Sequence, residues 1–192
     1  MRTLLLLSAA SLALAACGSR SDEPAGTATT DAAVVNDTAA MPSASSTASG
    51  MASADQQFVD TVAASDAFEI QSSELAQTKA TSKAVKDFAT MMIDHHTKSS
   101  ADLKKAALGA SPSVPVSAQL TAAQQVDLDA LRNAGANFDK VYAQKQVAAH
   151  EAAKTLLSDY SATGAPGPLR DFASKTVTVV SGHLDQARKL PK

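Results

Sequence analysis

From Asp55 to Leu190 the apolar residues recur at helical spacing, and no run alternates as a half-buried strand would. Phe58, Val62, Ser65, Glu69, Ser72 and Ala76 fall on one stripe, flanked by Phe68 and Leu75. Val85, Phe88, Ala89, Met92, His96, Ser99 and Leu103 make a second. Phe138, Tyr142, His150, Ala153 and Leu157 lie near a third face, and Leu169, Phe172, Thr176, Val180, His183, Ala187 and Leu190 form a fourth. Alanine is abundant, tryptophan is absent and aromatics are 4% of residues, which suits closely packed helices better than a sheet.

The breaks between stripes fix the helix count. The first helix is expected to open at Ser53, with Gln56 at capping-box spacing. Thr81 or Ser82 caps the second, and Gly109 with "SPSVPVS" ends it. "LTAAQQVDLDALRNAG" reads as a shorter helix with Thr121 and Gln124 as its capping box and Gly135 as its stop. Asn137 caps the third long helix, and residues 164–168 break the chain before the last. The fold class is therefore all-α: an antiparallel four-helix bundle with an extra short helix between the second and third long helices.

The N-terminus is of another kind. "MRTLLLLSAASLALAAC" has one early positive charge, an apolar run too short for a good membrane span, and small residues before Cys17. Residues 14–17 resemble the bacterial lipobox, which implies a signal peptide over 1–16 and a lipidated Cys17. Gly18 and Ser19 follow with no aspartate, and by resemblance to enterobacterial sorting this places the chain at the outer membrane, facing the periplasm. Several acyl chains give stable anchoring where one does not. Residues 17–52 are rich in Ser, Thr, Ala, Gly and Pro and read as a disordered tether with a span of roughly 30 Å. Residues 53–192 form the single folded domain.

Composition narrows the chemistry. Cys17 is the only cysteine, so the lipidated chain has no thiol for a disulfide, a nucleophile or a zinc–cysteine site. A net charge of −2 leaves no footprint for nucleic acid. No motif identifies a reaction or a protein partner, and the chain reads as a non-enzyme whose partner is the membrane.

Four ionisable residues stand on or near the inward stripes: Glu69, His96, His150 and His183. Glu69 and His96 are almost equally far from the turn at Thr81 and Ser82, and His150 and His183 flank the loop around Pro166 equally. Each is roughly 20 Å from its turn at helical rise, so an antiparallel arrangement brings all four to one layer. Such a set suits copper, zinc or iron. Asp94 and His95 stand nearby as outer residues, His95 pointing sideways to solvent or to a neighbouring helix. Met91 and Met92 suggest a softer copper site, although Met92 also suits core filling. The alternative is a metal-free buried polar network in a structural or protein-interaction lipoprotein, with Glu69 accepting from a histidine or from Tyr142. Asp139 reads as an early-helix acid favoured by the helix dipole. An exposed apolar patch around Leu128 and Leu131 would then serve a partner.

The stretches from Phe58 to Ala107, Ala136 to Leu157 and Leu169 to Leu190 closely resemble the bacterial domain-of-unknown-function family 4142. The marks are Glu69, the "HH" of the second helix, "FDKVY" at Phe138 to Tyr142, His150 and His183. The resemblance implies a ferritin-like helical bundle in an outer-membrane protein, with no settled activity. No Glu-x-x-His occurs on any helix, so the ligands of a standard di-iron centre are missing. "MMIDHH" is also similar to the Met-x-x-His-His element of a small helical envelope family associated with copper.

Overall fold

The computed structural model describes residues 44–191, with side chains described from residue 54. They are all-α, with no strand among the described residues. The helices are α1 (Ala44–Lys79), α2 (Lys83–Leu108), the short α3 (Ala122–Arg132), α4 (Phe138–Thr163) and α5 (Pro168–Ala187). A single 3-10 turn, Gly135–Asn137, leads into α4. Helices α1 and α2 pack along each other across the short link 80–82, and α4 and α5 do the same across 164–167. Across the two pairs, α1 meets α4 and α2 meets α5, while α3 lies against α1 and α4. The signal-peptide and Cys17 readings, and the tether up to residue 43, lie outside the described residues.

The inward stripes bury as the periodicity requires, but the buried apolar residues form two clusters. One contains Phe68, Ala76, Val85, Phe88, Met92, Leu128, Leu131, Phe138, Tyr142 and Ala187. The other contains Phe58, Val62, Leu103, Leu157, Tyr160, Leu169, Phe172 and Val180. Along α2, α4 and α5 the chain leaves one cluster, passes His96, His150 or His183, and enters the other. On α1, Asp66 falls in the same interval, between Ala63 and Phe68, and Glu69 follows directly after Phe68. Burying each large apolar side chain contributes about 1.5–3 kcal/mol, so the two clusters supply the stabilisation within which a polar layer is held.

The helix ends depart from the sequence reading in several places. Helix α1 begins at Ala44, nine residues before Ser53, so 44–52 of the stretch read as a tether are helical. Extending an existing helix adds a hydrogen bond for each residue fixed, and residues 44–52 contain no proline to stop it. Gln56 closes no capping box: its amide donates to Asp60 Oδ1 and to the Pro115 carbonyl, both at 3.0 Å. Neither Ser82 nor Asn137 caps through its side chain. The Thr121–Gln124 capping box does form. Gly135, at φ +53°, takes the left-handed conformation that lets the chain turn between α3 and α4.

Asp139 has a larger role than a dipole-favoured acid. Its carboxylate accepts from the Thr81 backbone N–H (3.1 Å), the Thr81 hydroxyl (2.6 Å) and the Ser82 N–H (2.8 Å). The first turn of α4 thereby holds the α1–α2 link. Burial works against the charge, but these three donors and Lys86 outweigh it and hold the carboxyl below its ordinary value. Leu128 and Leu131 are fully buried and offer no exposed patch, because α3 lays its apolar face on α1 and α4.

Candidate metal centre

His96 of α2, His150 of α4 and His183 of α5 converge in the layer between the two apolar clusters. One ring nitrogen from each lies within 4.8 Å of the others. Ring centroids are 5.7 Å apart for His96–His150, 5.5 Å for His96–His183 and 5.4 Å for His150–His183. All three side chains are buried.

Each ring is held by one nitrogen. His96 Nδ1–H donates to Asp66 Oδ1 at 2.8 Å, and His150 Nδ1–H donates to the Gln146 carbonyl at 2.8 Å. A carboxylate and a carbonyl only accept, so both contacts place the proton on Nδ1. His183 Nε2 shares a hydrogen bond with His95 Nδ1 at 2.8 Å. The opposite nitrogens, His96 Nε2, His150 Nε2 and His183 Nδ1, are buried without a hydrogen-bond partner. His96 and His150 are held as metal-binding histidines are: one nitrogen donates to a carboxylate or carbonyl, which fixes the tautomer and aims the other lone pair, while His183 is held by a second imidazole. Three nitrogens around one ion at about 2.0–2.1 Å stand about 3.5 Å from one another, so closing the set asks for small side-chain shifts.

The electrostatics differ among the rings. Burial disfavours charge on His96, but the Asp66 hydrogen bond and the charges of Glu69 and Asp66 outweigh it and raise its pKa. Burial lowers His150, with His96 adding to the effect against the opposing pull of Glu69. His183 is pushed down to about 3, first by burial and then by the charges of the other three histidines. A proton and a metal therefore compete chiefly at His96.

The residues proposed from the sequence divide. The three histidines come together as expected. Glu69 is in the layer but outside the three-nitrogen set: its Oε1 is 3.8 Å from His150 Nδ1, and both its oxygens are buried without a hydrogen bond. Tyr142 does not donate to Glu69. Its hydroxyl bonds Ser73 Oγ at 2.8 Å, and burial together with the Glu69 charge pushes the phenol up. His95 turns to the neighbouring α5, with its side chain 42% exposed. Asp94 stays in solvent, its Oδ2 4.0 Å from His95 Nε2. Met92 is fully buried in the apolar cluster and Met91 packs at that cluster's edge.

Asp66 is the residue that sequence reading missed. It is 3% exposed, and besides His96 it accepts from Ser100 Oγ at 3.2 Å. Its position was legible, four residues after Val62 and three before Glu69 on the same stripe. A cavity of about 40 Å³ adjoins the layer, lined by Asp66, His95, His96, Ser99 and His183 with Val62, Leu156 and Val180. It has room for an ion and water, and a groove of about 320 Å³ that shares His95 and Ser99 lies beside it.

No curated protein matches the sequence. Among solved structures, CopM in the Cu(I)-bound form is similar, with a TM-score of 0.58 and 20% identity over 70% of this chain and 93% of that one. At this identity the likeness is one of fold. The model of a domain of unknown function, DUF4142, matches residues 40–190, and the chain belongs to that family.

Proposed function

We propose that the folded unit is a ferritin-like antiparallel four-helix bundle that binds a transition metal through His96, His150 and His183. The observation that carries this reading is the three buried imidazole nitrogens without partners, each on a ring held from behind. Imidazole sets of this kind suit copper, zinc and iron. The fold likeness to a protein described as Cu(I)-bound supports keeping copper among them. When bound, the ion would supply Lewis-acid or redox character. The chain's own residues aim the rings, keep bulk water out and set the charge around the site. The cavity of about 40 Å³ beside the rings takes an ion and water, which suits holding or carrying a metal.

We further propose that the chain is a lipoprotein anchored in the outer membrane through Cys17, with the bundle facing the periplasm. The lipobox-like residues 14–17 support this. No described helix is long and apolar enough to cross a membrane.

A metal-free reading draws on the same geometry. The His96–Asp66, His150–Gln146 and His95–His183 hydrogen bonds already satisfy one nitrogen of each ring, as a structural polar layer would require. Thermal unfolding of the full-length, untagged chain separates the two. At about a hundredfold excess over Kd, a metal that binds only the folded state adds about 2.7 kcal/mol. The metal reading expects a rise in melting temperature with copper, zinc or iron that is lost in His150→Ala. A wild-type protein that none of these metals shifts would refute it.

A further inference from the structure

The polar layer carries two carboxylates, Asp66 at 3% exposure and Glu69 at 1%, and no lysine or arginine is buried among the described residues. Asp66 is held by His96 and Ser100. Glu69 has no hydrogen bond to either oxygen, and its nearest ion-pairing group is His150 Nδ1 at 3.8 Å. A carboxylate taken out of water with neither donor nor cation is costly, and a fold that only needed to pack this position would be better served by an apolar or amide side chain. A ring that gives its free nitrogen to a metal keeps at most one proton, on the other nitrogen, and so brings no charge of its own. The two carboxylates together carry −2, which a doubly charged ion at the histidines would neutralise and a singly charged ion would leave half uncompensated.

We infer that this is a site for a divalent cation, such as Zn²⁺ or Cu²⁺, and that Glu69 is the residue that selects divalent over monovalent ions. It acts by charge from beside His150, not as one of the three nitrogen ligands. The inference rests on the metal-binding reading above and deepens it. Glu69 is a cleaner probe than Asp66, because replacing Asp66 would also release the His96 ring. Glu69→Gln keeps the shape, breaks no hydrogen bond and removes one negative charge.

Coulomb energy scales with the product of the charges, so losing that charge costs a divalent ion twice the free energy it costs a monovalent one. In affinity, the fold-loss for the divalent ion is then the square of the fold-loss for the monovalent ion. Comparing each ion with itself in wild type and variant cancels the different intrinsic preference of each metal for imidazole.

The experiment measures affinities of the full-length, untagged chain for Zn²⁺, Cu²⁺ and anaerobically maintained Cu(I), by competition with chromophoric chelators, in wild type and Glu69→Gln. Removing residues next to a metal's ligands commonly costs 10–100-fold. The expected result is a loss of about 100-fold for Zn²⁺ and Cu²⁺ and about tenfold for Cu(I). The metal-free variant should melt at or above the wild-type temperature, since it no longer buries an uncompensated carboxylate. Equal losses for all three ions, or a larger loss for Cu(I), would overturn the inference while leaving the metal site standing. So would a metal-free variant that melts below wild type, because the carboxylate would then serve the fold. A wild-type chain that binds none of the three ions would remove the parent reading and this one together.

Discussion

Replacing Asp139 by alanine tests how the two helical pairs are joined. The substitution removes three accepted hydrogen bonds, from the Thr81 N–H, the Thr81 hydroxyl and the Ser82 N–H. Each is worth about 1 kcal/mol net, and water can reach part of this half-buried site, so the expected loss is about 1–2 kcal/mol. For a chain of this size that lowers the melting temperature by about 2–8 °C. Asp139→Asn should fall between, since its amide oxygen can still accept while the charge is gone. The loss also carries a pH signature. The folded carboxyl titrates below its ordinary value of 3.8. Its contribution is therefore complete above about pH 4 and disappears as pH falls through the lower folded value. Urea unfolding of wild type and Asp139→Ala at several pH values should show a constant gap from pH 5 to 8 that closes towards pH 3. A gap below about 0.5 kcal/mol at pH 7, or one that persists undiminished at pH 3, would refute the clamp.

Two further perturbations address the packing and the anchor. Leu131 is fully buried where α3 meets α1 and α4, so Leu131→Ala should cost about 2–5 kcal/mol in the same unfolding assay; a near-neutral result would mean that α3 packs only loosely. Cys17→Ser should move the protein from the membrane fraction to the soluble periplasmic fraction and abolish incorporation of labelled fatty acid. Retention in the membrane fraction would remove the lipoprotein reading.

The histidine layer was legible because helical geometry is regular: positions at equal distances from a tight turn meet across a hairpin, and turns are marked by local residues. His96, His150 and His183 needed only the 3.6-residue period and the breakers near Thr81 and Pro166. Asp66 sat on the same stripe as Glu69, yet beside a glutamate in register with His96 its own pairing was not evident. Whether Asp66 or Glu69 meets His96 depends on how α1 and α2 rotate against each other. The sideways direction of His95 was legible, but the specific partners of His95 and Asp139 were beyond sequence reading for a related reason. Each finds its partner across an interhelical contact, His95 on α5 and Asp139 at the α1–α2 link, and no local pattern encodes that choice. The start of α1 was misplaced because Ser53 and Gln56 offer a plausible cap, but a local cap cue does not stop a helix that can extend upstream at one hydrogen bond per residue with no proline between 44 and 52.

Metal held by His96, His150 and His183 should stay with the protein through purification. The most direct test is metal content by elemental mass spectrometry on the full-length protein, purified without a histidine tag from the envelope of cells that make it. The expected result is near-stoichiometric copper, zinc or iron in wild type, lost in both His96→Ala and His150→Ala. Metal-free wild-type protein that cannot be reconstituted with any of the three would contradict the claim and leave the histidines as a buried hydrogen-bonded layer between two apolar cores.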